Sequence, residues 1–380
     1  MRPGYDWDLF CAVVDNYGDI GITWRLARQL ASEHRLRVRL WVDDLAAFRC
    51  LRPEIDPDLD EQACQGVTVR HWRAPFPAAE PADVVVEALA CHLPESYESA
   101  MAERPVKPVW LNLEYLSAED WVPGCHALAS PHPRLPLTKY FFLPGYVPGT
   151  GGVLKESWLV AARDDLRADP AAQAAFWRRL AVPEAEESRI SLFSYENTAI
   201  QGLFETWADG PERVRCLVPE GRPLADVAGF FGRPAVAAGE QLVRGNLAVQ
   251  VLPMLSQDDY DRLLWLCDCN FVRGEDSLVR AMWAGKPLVW QAYRQEDQAH
   301  WPKIHALLDL LCGDLDPGDA DALRALWSAW NDMAGAGPAW PEFWHRRPAW
   351  LARLDRWQAQ LDGVGDLATN LVKFCNEKSK

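Results

Sequence analysis

Apolar residues fall in short runs along this chain, separated by stretches where they recur every three or four positions. The runs at 9–14, 38–42, 67–71, 84–87 and 109–113 have the length and β-branched content of buried parallel strands. Between the first two, Ile22, Leu26 and Leu30 repeat at helical spacing. Strands alternating with helical or loop segments predict βαβ units on a parallel sheet. A second series follows at 189–195, 214–218, 248–252, 269–272 and 287–290, predicting a second sheet of the same kind. The Gly- and Pro-rich loop 144–152 and the polar helical stretch after it place a boundary near 155. A first domain of 1–155 and a second of 156–360 are expected.

The first turn carries the most chemistry. Asp15-Asn16-Tyr17-Gly18-Asp19-Ile20-Gly21 puts two carboxylates between the first apolar run and the first helical stretch. In open α/β sheets ligands bind outside the carboxyl ends of the strands. Gly18 and Gly21 suit a tight turn or a close backbone approach. There is no GxGxxG fingerprint here, and carboxylates at a helix start would repel a pyrophosphate. The turn suits a cationic guest. Asp19 as a helix cap and Asp15 as a solvated turn residue fit the same residue types.

A second strand-to-helix turn stands at 271–287, Phe-Val-Arg-Gly-Glu-Asp-Ser-Leu-Val-Arg-Ala-Met-Trp-Ala-Gly-Lys-Pro. Asp276 or Ser277 is a natural N-cap, and the first-turn N–H groups form an anion site. Arg273 beside it can take a phosphate with two parallel hydrogen bonds. A capped helix with Arg273 paired to Glu275 is the bland alternative. Two Rossmann-like domains facing across a cleft, with a donor site of this pattern and Asp297-Gln298 downstream, is the GT-B arrangement of nucleotide-sugar transferases. By analogy with such chains, a last helix at about 361–377 is expected to pack back on the first domain.

Composition narrows the class. The 380 residues are 49% hydrophobic and 24% charged, with a formal net charge of −15. That balance argues against nucleic acid, which selects basic faces. No uninterrupted apolar stretch reaches the roughly 20 residues of a spanning helix, and the N-terminus lacks a signal-like apolar region. A cytoplasmic protein with no membrane partner is expected. Ten cysteines lack metal-ligand spacing and read as reduced thiols; Cys267 and Cys269 are read as alternating within one strand, and no metal is expected. The eight histidines show no pairing with a nucleophile, which disfavours a hydrolase triad. Trp24, Trp177, Trp265, Trp283, Trp327 and Trp330 lie in helical patterns and are assigned to core packing rather than sugar stacking.

The segments 10–21, 110–119, 193–196 and 271–277 resemble, in order and across nearly the whole chain, the bacterial protein-arginine rhamnosyltransferase family EarP. The resemblance implies a GT-B fold, dTDP-β-L-rhamnose as donor, a loop arginine of translation elongation factor P as acceptor, and inversion without a cofactor or metal. It implies Asp19 as general base, with Asp15 orienting the guanidinium or supporting the turn, and Glu275 near the leaving group or sugar. It places Phe193, Tyr195, Met254, Gln257, Tyr260, Arg273, Glu275, Asp276 and Ser277 around the donor, Met254 standing where relatives offer an aromatic residue. It places Asp15, Asn16, Tyr17, Asp19, Glu114, Tyr115 and Tyr293 around the acceptor. Phe193 as plain core packing is an alternative. A glycan or lipid acceptor, or a non-catalytic nucleotide-sugar-binding protein, are the rival functions.

Overall fold

Strand β1 (Trp7–Cys11) is buried throughout because it is paired on both edges, with β2 (Val38–Val42) and with the strand Val84–Ala88, both in parallel. The computed structural model describes residues 6–14, 17–89 and 91–379. Its chain divides into two units, Met1–Ser157 with Gln360–Lys380, and Trp158–Ala359.

The first unit adds β3 (Glu61–Cys64), β4 (Val67–His71), β5 (Val84–Ala88), β6 (Val109–Leu113), β7 (Ala129–Pro131) and β8 (Thr138–Phe142). The sheet runs β3-β4-β2-β1-β5-β6-β8-β7. Both edge strands, β3 and β7, pair antiparallel with their neighbours. Neither edge was predicted, nor was β8. These strands are part-exposed and lack the continuous apolar run that marks a strand covered on both faces.

The second unit holds β9 (Ser188–Leu192), β10 (Val214–Pro219), β11 (Gln241–Arg244), β12 (Leu247–Leu252), β13 (Cys269–Arg273) and β14 (Leu288–Gln291). Their order is β11-β12-β10-β9-β13-β14, parallel except for the β11 edge. The six tryptophans assigned to helical core packing are all buried in helices.

Several predicted boundaries move, each for a local reason. The first strand stops at Cys11, and Val14 is 77% exposed. The amides of Val13 and Val14 go to the carboxylates of Asp43 (2.8 Å) and Asp19 (2.9 Å) instead of to a neighbouring strand. Cys267 caps the helix Gln257–Leu266, so β13 begins only at Cys269. The expected last helix is two, Arg347–Val364 and Leu367–Lys378, separated at Gly365, whose φ of +91° a side chain would strain. In the first unit, Phe374 of the second of these helices packs edge-on to Tyr140 and Phe142, with centroids at 5.5 and 5.7 Å.

Beneath β1 lies a fully buried charge. Asp8 takes both arms of the Arg39 guanidinium, Nε at 2.6 Å and Nη2 at 2.7 Å, together with the Ala82 amide at 3.0 Å and the Tyr97 hydroxyl. A buried carboxylate is tolerable only while its partners remain. Arg39→Met is therefore expected to destabilise the protein by about 3–5 kcal/mol, leaving Asp8 without its counter-charge. Urea denaturation checks this, and a loss below about 1 kcal/mol, the range of an exposed pair, would contradict it.

Candidate active site

In the first unit the chain leaves β1 and enters the helix Gly18–Ser32 with Tyr17 in the N-cap position. Asp15 and Asn16 lie outside the described residues. Gly18 and Gly21 belong to the first helical turn rather than to a bend before it; the Gly21 amide already bonds the Tyr17 carbonyl at 2.9 Å. Asp19 is thus the second helical residue and not the cap. Its side chain reaches back toward the strand end, and it is only 2% exposed. Oδ2 accepts the Val14 N–H at 2.9 Å. The Tyr115 hydroxyl lies 3.4 Å from Oδ1 and 3.2 Å from the Leu89 carbonyl, placed to donate to either. Thr23 Oγ1 bonds the Asp19 carbonyl at 2.8 Å, steadying the turn from within the helix.

Burial pushes the nearby Cys11 thiol well up, and the Asp19 charge adds to that effect, so Cys11 stays protonated and a poor nucleophile. Glu114 is part-buried and accepts the Asn112 amide, while its own N–H bonds the Phe142 carbonyl at 3.0 Å. Sequence reasoning also passed over the buried Glu87. It closes the 84–87 run as a buried carboxylate that accepts the Leu93 N–H at 3.0 Å and pairs with Lys139. A charged residue ending an apolar run was the available signal.

In the second unit the predicted donor residues lie at or beyond the carboxyl ends of β9, β12 and β13 or in the helices that follow β12 and β13. Phe193 and Tyr195 lie just beyond β9, which stops at Leu192. Arg273, the last residue of β13, is 7% exposed, with its guanidinium carbon 4.8 Å from the Phe193 ring centre and 4.4 Å from that of Tyr195. At these distances the cation is held over two aromatic faces. Phe193 also meets Tyr260 edge-on at 5.5 Å, and Tyr195 meets Tyr293 edge-on at 5.5 Å. Phe193 is only part-buried, unlike a plain core residue.

Gly274, at φ +63°, turns the chain into the helix Asp276–Ala284. The N-cap position falls on Glu275, which makes no side-chain capping bond. Asp276 and Ser277 are therefore first-turn residues rather than caps. Ser277 Oγ turns back to the Arg273 carbonyl, a common bond for a serine inside a helix, and Asp276 Oδ2 takes the Gln257 amide at 3.4 Å. A helix start leaves its first-turn amides without partners inside the helix, the property an anion site uses. Behind the turn, Arg280 and Asp261 form a buried two-armed pair at 3.1 and 2.6 Å that ties this helix to Gln257–Leu266.

The Tyr260 hydroxyl belongs to that same wall. Burial pushes its pKa upward, so it stays a neutral phenol. Met254 is part-buried and its amide donates to Glu220 Oε2 at 3.3 Å. Tyr293, expected on the acceptor side, is 53% exposed and packs against the donor-side Tyr195. The structure thus joins Phe193, Tyr195, Tyr260, Arg273 and Tyr293 through ring contacts, and hydrogen bonds pair Gln257 with Asp276 and Ser277 with Arg273. In the first unit it joins Asp19 with Tyr115.

Residues 7–376 match the family described as Elongation-Factor P (EF-P) rhamnosyltransferase EarP. The chain is 50% identical over 369 residues to a protein-arginine rhamnosyltransferase of Pseudomonas aeruginosa, covering 97% of this chain and 98% of that one. It is 41% identical over 385 residues to the protein of the same description from Shewanella oneidensis, covering 97% of each. Among solved structures it is similar to one described as the structural basis for EarP-mediated arginine glycosylation of translation elongation factor EF-P. That match has a TM-score of 0.72 and 35% identity, and covers 98% of this chain and 99% of the other. Two parallel-dominated sheets and this match together give an α/β fold of the GT-B type.

Proposed function

The chain belongs to the EarP family of EF-P rhamnosyltransferases, and on that premise we propose that it moves L-rhamnose from dTDP-β-L-rhamnose to a loop arginine of elongation factor P, with inversion and without a metal. It is a protein-arginine rhamnosyltransferase. The observation that carries the finer reading is Arg273, a buried cation over Phe193 and Tyr195 at the start of the helix Asp276–Ala284. Such a site suits a diphosphate whose base lies on an aromatic wall.

In this reading the donor diphosphate meets the Asp276 helix start and Arg273. Phe193 and Tyr260 offer the thymine a surface, with Met254 adding a polarizable edge. Gln257, Asp276 and Ser277 serve ribose and phosphate oxygens, and Glu275 serves sugar hydroxyls. The acceptor guanidinium is a poor nucleophile because its lone pairs are delocalised and its charge persists at neutral pH. A carboxylate against one nitrogen changes that. As the C1–N bond forms and the C1–O bond to the phosphate breaks, the attacking nitrogen passes its proton to Asp19, and dTDP leaves with the bonding electron pair. The departing charge falls on Arg273 and the helix amides, which takes the place of a metal ion. Asp15, Asn16, Tyr17, Glu114 and Tyr115 complete the acceptor side, and Tyr293 stands beside Tyr195. Cytoplasmic action follows from the acceptor; among the described residues no helix is long and apolar enough to cross a membrane.

Intact-mass analysis of elongation factor P incubated with the protein and dTDP-β-L-rhamnose tests this. The acceptor is expected to gain one deoxyhexose, and to lose that gain when its loop arginine is replaced by lysine. An unchanged acceptor mass alongside measurable dTDP binding would point to a different acceptor.

A further inference from the structure

We infer that Gln291, the last residue of β14, is a positioning residue that sets the donor pocket before any ligand arrives. It is buried, and it is the register partner of Arg273 across the β13–β14 pair. Its Oε1 accepts the Tyr195 N–H at 2.9 Å, and its Nε2 lies 3.5 Å from the Glu196 carbonyl. Its own carbonyl accepts the Gly274 N–H at 3.3 Å. One residue therefore grips both loops of the pocket: the one carrying Phe193 and Tyr195, and the one leading from Arg273 into the Asp276 helix.

The grip is reinforced on either side. Trp290 Nε1 donates to the Gly274 carbonyl at 2.8 Å, so Gly274 is held by both of its backbone groups. Asn331 takes the Ala292 N–H at 3.1 Å and donates to the Trp290 carbonyl at 2.8 Å, fixing the strand end from behind. The Tyr195 backbone carries the ring that lies over Arg273, and among the described residues β9 ends at Leu192, short of pairing the Tyr195 N–H within the sheet. Gln291 supplies the partner for that N–H. A binding group held by a locked neighbour needs no ordering when the ligand comes, so the effect belongs in donor affinity rather than in the chemical step.

This rests on the donor-site reading above, and dTDP alone is the probe. Gln291→Met keeps the volume and removes the acceptor. It is expected to weaken dTDP binding by calorimetry, and to raise the donor KM, by about tenfold, the usual worth of one such hydrogen bond. kcat and the acceptor KM are expected to stay within about threefold. A variant that binds dTDP as tightly as the parent overturns the inference and leaves the donor site standing. A parent that binds no dTDP overturns the donor site and the inference with it. Hydrogen exchange on the unliganded parent asks the same question without any variant. Protected amides at Tyr195 and Gly274 are expected; exchange that is fast there and slows only when dTDP is added would refute preorganisation by Gln291.

Discussion

Asp19→Asn is expected to lower turnover of elongation factor P by about 10²- to 10⁴-fold, the range supplied by a placed general base. Binding of dTDP to the variant should match the parent. The substitution is conservative in shape: an amide oxygen still accepts the Val14 N–H that Asp19 Oδ2 holds at 2.9 Å. It removes the negative charge and with it the capacity to take a proton. The carboxylate is 2% exposed, so bulk water has little access to substitute for it. Single-turnover rates measured with saturating donor and acceptor separate this from weakened binding. Turnover near the parent rate would exclude Asp19 as the base and shift attention to Asp15.

The second large effect is expected at Arg273. Arg273→Met should weaken dTDP binding on the order of 10²-fold, through lost charge-assisted hydrogen bonds to the diphosphate. Loss of the two aromatic contacts at 4.8 and 4.4 Å adds to this. Arg273→Lys should fall between parent and Met, because an ammonium keeps the charge but not the planar fork that both stacks and binds bidentately. Calorimetric titration with dTDP reads all three proteins. Equal affinities across the series would remove Arg273 from the donor site. Loss of donor affinity together with a slower rate at saturation, set against unchanged dTDP affinity at Asp19→Asn, divides the two roles kinetically.

What the amino-acid order disclosed, and what it did not, divides along a physical line. The runs at 38–42, 67–71, 214–218 and 248–252 became β2, β4, β10 and β12 nearly residue for residue. A strand covered on both faces must be apolar throughout, and that is a local signal. The edges β3, β7 and β11 were not legible, because a half-solvated strand of three or four residues looks like a loop. The helix starts were read as turns with caps, yet Asp19 and Ser277 both lie inside helices. Short polar side chains favour both places, and the choice depends on what they can reach.

By itself, then, the sequence determined the α/β class, the two series of parallel strands, and the two strand-to-helix corners that hold Asp19 and Arg273. Each of these follows from residues near one another in the chain. Only the tertiary structure decided the partners. Tyr115 reaches Asp19 across 96 positions, since β1, β5 and β6 are adjacent in the sheet. Gln291 reaches the Tyr195 amide across 96 positions as well, through the β9-β13-β14 order. Strand order is fixed by pairing and burial summed over a whole sheet, and no local pattern encodes which hydrogen-bonding group will stand opposite another.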